Sequence, residues 1–149
     1  MARPKPPGIA LMTSSDDAEA QFYEALQRGD IEKLMAVWSD DDEICCVHPG
    51  GPRVVGPAAI RAAFDAMFAN GVIDARPEKV RRVVTHDSAV HSVVERIQVM
   101  TEEGPQSAWV IATNVYVKAA LGWRLVAHHA SPGSTQELPE VGETPSVLH

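Results

Sequence analysis

The sequence predicts an α+β domain in which three N-terminal helices pack on a strongly curved, mainly antiparallel sheet of about six strands. Three observations point there. Apolar residues recur at spacings of three and four only in the first half of the chain, between Ala18 and Phe68. From Val80 onward the chain changes to long runs rich in Val, Ile and Thr, separated by short stretches at 86–88, 102–105 and 119–122. Helices followed by a block of strands, with no internal repeat, is the order of a layered α+β fold rather than of alternating βαβ units.

Taken in order, Asp16 followed three residues later by Glu19 predicts a helix starting near Ser15 with a capping-box-like first turn. Ala18, Phe22, Ala25 and Leu26 form its apolar stripe. Arg28-Gly29-Asp30 stops this helix with a glycine and opens a second with an aspartate cap, whose apolar face is Ile31, Leu34, Met35 and Trp38. A third helix begins at Gly56-Pro57, where proline suits the first turn, and carries Ile60, Ala63, Phe64, Met67 and Phe68 as far as Asn70-Gly71. Two short strands are expected between the second and third helices, at 43–48 and 53–55, joined by Pro49-Gly50-Gly51-Pro52. Four long strands follow, over 80–85, 89–101, 107–118 and 123–131. Residues 1–14 and 132–149 lack periodicity and are rich in turn-forming residues, so they are expected as tails flanking a domain of 15–131.

Composition narrows the function classes. Thirteen basic residues against twenty acidic ones give a net charge of −7, with no cluster of Lys and Arg. Nucleic acid and anionic membranes are bound through clustered cations, so neither is expected as a partner. A chain of 149 residues can bury roughly 70% of its unfolded surface, so its core requires no disulfide or structural metal. The apolar stretch 9–12 is too short for a signal-peptide core or a spanning helix, and a cytoplasmic protein is expected. Cys45 and Cys46 are adjacent, so on a strand they point to opposite faces; they are read as reduced, packed thiols.

Alternation along a strand lets the two faces of the sheet be listed separately. Odd positions include Glu95, Trp109, Ile111, Thr113, Val115 and His129; even positions include Arg96, Gln98, Asn114, Tyr116 and His128. Both faces are substantially apolar, and three short helices cover only one. The other is expected to close against a second copy of the chain, giving a homodimer through the sheet face.

Several segments together resemble the nuclear transport factor 2-like superfamily, and its SnoaL-like bacterial members most closely. These are Phe22-Tyr23-Glu24-Ala25-Leu26-Gln27-Arg28-Gly29-Asp30, the acidic Asp40-Asp41-Asp42 before a strand, His48-Pro49, Gly56-Pro57-Ala58-Ala59-Ile60, and Gly122-Trp123-Arg124-Leu125 with His129-Ala130-Ser131. The resemblance spans about residues 16–131. It implies a cystatin-like cone with a pocket at its open end, usually within a dimer. Members include ketosteroid isomerases, polyketide cyclases, epoxide hydrolases, dehydratases and the association domains of calcium/calmodulin-dependent kinases.

Carried over residue by residue, the isomerases' general-base aspartate is His48 here, their oxyanion-binding tyrosine is Phe22 and their protonated aspartate is Asn114. The resemblance therefore implies His48 and Asn114 as catalytic residues, a histidine being suited to proton transfer near neutral pH. It also turns the even face into the cone. Arg96, Gln98, Tyr116 and His128 would then bind ligand together with Phe22, Trp38, Phe64 and Phe68, and Arg96, which matches a pocket arginine of the kinase association domains, implies an anionic end on that ligand. Glu95, Trp109, Ile111, Thr113, Val115 and His129 fall on the dimer face.

His128 and His129 cannot ligate one ion from a regular strand, and no metal site is predicted. His86 and His91 are expected to be solvated. Two functions stay open. One is a cofactor-independent isomerase, cyclase or dehydratase acting on a small apolar molecule with a polar or anionic end. The other is a non-catalytic association or ligand-sensing module on the same fold.

Overall fold

The computed structural model describes residues 12–142, so most of the expected N-terminal tail and the last part of the C-terminal one lie outside the described residues. Helix α1 (Ser15–Arg28) is capped by Ser14, whose hydroxyl accepts from the Asp17 N–H, while the Asp17 carboxylate accepts in return from the backbone and hydroxyl of Thr13. The capping box thus sits two residues earlier than the sequence pattern indicated, and Glu19 is free to face the interior. Gly29 takes a left-handed conformation (φ 64°) and the Asp30 N–H reaches back to the Ala25 carbonyl. That closes α1, and Asp30 in turn caps α2 (Ile31–Val37).

Strands β1 (Cys45–Val47) and β2 (Arg53–Val55) form a small hairpin, and α3 (Pro57–Phe68) follows with Pro57 in its first turn. The long strands are β3 (Ala75–Val84), β4 (Ser88–Thr101), β5 (Gly104–Ala119) and β6 (Gly122–Ala130). They make one six-stranded sheet in the order β2-β1-β6-β5-β4-β3, antiparallel except where β1 joins β6. β3 starts earlier than expected, because pairing with β4 holds Ala75, Arg76 and Pro77 extended despite their weak strand propensity.

All three helices lie on one side. α1 touches β3 at one edge and β5 and β6 further along; adjacent strands are about 4.8 Å apart, so β3 and β6 are roughly 14 Å apart along a flat sheet. One helix reaches both because the sheet curls around it. Its core joins Ala18, Phe22, Tyr23, Ala25 and Leu26 of α1 to Leu34, Val37, Ile60 and Phe64 of the other helices and to Val93, Tyr116 and Leu125 of the sheet.

The chain ends differ from the expected tails within the described residues. Met12 is buried and its carbonyl accepts from the Trp123 N–H. After β6, Ser134 exchanges two backbone hydrogen bonds with Trp109, and Glu137 and Glu140 pair with Lys79 and Arg81 of β3. The 132–142 segment therefore runs back along the sheet rather than away from it.

Candidate functional site

A cavity of about 60 Å³ lies between α1, α3 and the sheet. Phe22 and Leu26 of α1, Phe64 and Met67 of α3, Ile73, and Ala75 and Ile97 of the sheet give it an apolar wall, while His48 with Pro49, Glu95 and His128 supply its polar positions. His48 follows β1 directly, and its ring stands edge-on to Phe64 with centroids 4.9 Å apart. His128 sits on β6 beside Phe22, 6.3 Å from the His48 ring.

Behind the cavity a hydrogen-bonded chain crosses the core. The Tyr23 hydroxyl donates to Glu95 Oε2 at 2.7 Å and accepts from Asn114 Nδ2 at 3.0 Å. Asn114 Oδ1 then faces His128 Nδ1 at 2.5 Å. Because the Asn114 amide is spent on Tyr23, its oxygen must accept, so the His128 proton is on Nδ1 and its Nε2 carries a lone pair. Glu95 Oε1 and His128 Nε2 take no hydrogen bond from any described residue.

Burial sets the protonation of this group. Removal from water raises the Glu95 carboxyl to about 7, an increase that the Tyr23 hydrogen bond opposes and the nearby Glu19 reinforces. The same loss of solvent drives His128 down to about 3, helped by His48 and His129, and lowers His48 as well. Tyr23 is raised well above the ordinary phenol value by burial and by the Glu95 charge, so it stays a donor. The Cys46 thiol lies 3.7 Å from His48 Nε2 and is pushed by burial up to about 12, which leaves it protonated and unreactive.

Glu95 was expected on the dimer face and Arg96 and Gln98 in the pocket; the structure reverses all three. The β4–β5 hairpin has a two-residue loop, with Thr101 opposite Gly104, so every pair across it joins an odd residue to an even one. Glu95 faces Val110 and Arg96 faces Trp109. With the even face of β5 turned inward, the odd face of β4 must be inward too. Glu95 is 4% exposed, whereas Arg96 is on the outer surface beside Ser107 and Glu78, and Gln98 also bonds Ser107.

The same register buries His91 completely, in place of the solvated position expected for it. Its Nδ1 binds Glu19 Oε2 at 2.6 Å, its Nε2 meets Ser15 Oγ at 3.0 Å, and Tyr116 donates to Glu19 at 3.4 Å. This second buried cluster pins the start of α1 to β4 and β5.

The chain matches the family model described as the SnoaL-like domain over residues 16–135. The chain belongs to the SnoaL-like family. Its fold and membership place it within the nuclear transport factor 2-like superfamily. It is 34% identical, with a TM-score of 0.73, to a protein from Thiobacillus denitrificans provisionally named a calcium/calmodulin-dependent protein kinase type II association domain, covering 83% of this chain and 98% of that one. It is 31% identical, with a TM-score of 0.72, to a provisionally named dehydratase of the nuclear transport factor 2-like family from Streptomyces avermitilis, covering 79% and 93%. A protein with a cystatin-like fold from Novosphingobium aromaticivorans shares the fold at 20% identity and a TM-score of 0.66, over 78% and 77%. No curated protein sequence matches the chain.

Within this SnoaL-like cone, His48, His128, Phe22 and Phe64 line the cavity, and Asn114 stands one hydrogen bond behind it. Tyr116, Trp38 and Phe68 do not line it. Tyr116 belongs to the His91 cluster, Trp38 packs on Phe22 with its indole N–H unpartnered, and Phe68 stacks behind Phe64. Glu95 and Tyr23 were missed by sequence reasoning, and the even-length turn after Thr101 was the signal that would have found Glu95. On the outer face, Ile111 is 38% exposed, Thr113 and His129 are exposed, and Trp109 and Val115 are half-buried. Ile111, Thr113 and His129 border a groove of about 590 Å³ with Val47, Gly50 and Pro132. Among the described residues no group of three or more His, Cys, Asp or Glu is placed to hold a metal ion, and no helix is long and apolar enough to cross a membrane.

Proposed function

We propose that this domain binds a small, mainly apolar molecule in the cone cavity and transfers a proton on it without a cofactor, as isomerases and dehydratases do. Glu95 takes and returns the proton, and His48 assists from the cavity wall. The observation that carries this is a buried carboxyl with a free oxygen on an apolar cavity, raised to about 7, the value at which one group serves as both base and acid near neutral pH. Tyr23, Asn114 and His128 hold that carboxyl in place. The 31% identity to a relative named as a dehydratase supports a reaction of this class.

The test is exchange of the carbon-bound protons of hydroxyacetone in D₂O, followed by NMR, alongside direct titration of the Glu95 carboxyl. Wild type should exceed Glu95→Gln by about a hundredfold or more, with His48→Ala between them. Equal rates in wild type and Glu95→Gln, or a Glu95 that titrates like a solvated carboxylate, would refute the proposal.

A second reading, association through the outer sheet face, is favoured by the exposed Ile111 beside the groove and by the relative named as a kinase association domain. Light scattering should then give a dimer that Ile111→Glu converts to monomer; a monomeric wild type at high concentration excludes it.

A further inference from the structure

The polar atoms that Glu95 and His128 leave free on the cavity are of one kind. Glu95 Oε1 accepts when ionised, and His128 Nε2 accepts because its partner nitrogen holds the proton against Asn114. No Lys or Arg lines the cavity. The arginine expected there, Arg96, is on the opposite face with Glu78 and Ser107. A ligand carboxylate would therefore meet a second carboxylate in a low-dielectric site with no Lys or Arg to offset the repulsion, whereas a donor group would satisfy a free acceptor.

We infer that the cavity selects small apolar molecules carrying a hydrogen-bond donor, an amine or a hydroxyl, and rejects carboxylates. This rests on the cavity being a ligand site, as proposed above, and it reverses the anionic end that the sequence implied. An amine gains both the hydrogen bond and the charge of Glu95, so it ranks above an alcohol of the same shape. The volume of about 60 Å³ holds only a few water-sized groups, which limits the apolar body to a short branched chain. Met67, flexible and only partly buried, is the wall residue best able to adjust to it.

Isobutylamine, isobutanol and isobutyrate differ in the polar end alone. Titrated at pH 8 and followed by amide shifts around Glu95 and His128, the amine should bind at least tenfold more tightly than the acid, with the alcohol between them. Glu95→Gln, which replaces the carboxylate by a neutral amide, should abolish the advantage of the amine over the alcohol. Isobutyrate binding as tightly as isobutylamine would overturn the selectivity while leaving the cavity a ligand site. Failure of all three to shift any cavity residue would overturn both the ligand site and the selectivity.

Discussion

Replacing Glu95 by Gln should raise stability, and only on the alkaline side. Glu95 has a folded value of about 7 against an ordinary 4.5. Below the ordinary value the carboxyl is protonated in both states and contributes no pH dependence. Between 4.5 and 7 the unfolded chain loses the proton while the folded chain keeps it, so stability falls as pH rises through this window and levels off above it. The two and a half units between the values, at 1.36 kcal/mol each, amount to roughly 3 kcal/mol. For a chain of this length that is on the order of 6–12 °C in Tm.

Glutamine imitates the protonated acid. Its oxygen still accepts from Tyr23, and its amide faces the cavity, so the penalty disappears without an orphaned partner. Thermal unfolding of wild type and Glu95→Gln from pH 4.5 to 8.5 should give curves that meet near pH 4.5 and diverge steadily up to about pH 7, the variant lying above. His128 contributes the opposite slope. Its folded value is about 3, so unfolding takes up a proton below about 6.5 and stability falls as pH drops from there towards 3. Both proteins share that limb, and their difference isolates Glu95. A difference that stays constant across the range would refute the assignment of Glu95 as a desolvated, protonated acid.

Three further outcomes are expected. Asn114→Leu leaves the His128 N–H without its acceptor and should cost about 1–3 kcal/mol in urea unfolding. Gly122→Ala would place a methyl 2.6 Å from the Met12 carbonyl oxygen at a φ of 116°, so it should lose more than about 1 kcal/mol. Gly133→Ala, whose new methyl meets Val110 at an ordinary 3.6 Å, is its control in the same melt. Arg96→Ala should change stability by less than about 0.5 kcal/mol and leave isobutylamine affinity unaltered, because its side chain is on the outer face.

The elements of this chain were legible without coordinates, because the signals that make them are local. Gly29-Asp30 both ends one helix and caps the next, Gly56-Pro57 opens the third, and Val- and Thr-rich runs separated by short turns form the long strands. Apolar periodicity alone placed Phe22, Leu26 and Phe64 in the core, and His48 fell at the end of the first short strand where the resemblance put it.

What the sequence left undecided was which way each strand faces, since that depends on register between segments and not on any one of them. A two-residue turn after Thr101 exchanges odd for even between β4 and β5 and brings Glu95 inside. On β6 an extra residue resets the alternation. Leu125 pairs with Tyr116 but Ala127 with Val115, so Leu125 and His128 both point inward although one is odd and the other even. The chemistry of the cavity follows from those two irregularities. Glu95 titrates near neutrality only because folding strips it of water, and desolvation belongs to the packed structure rather than to the residue type.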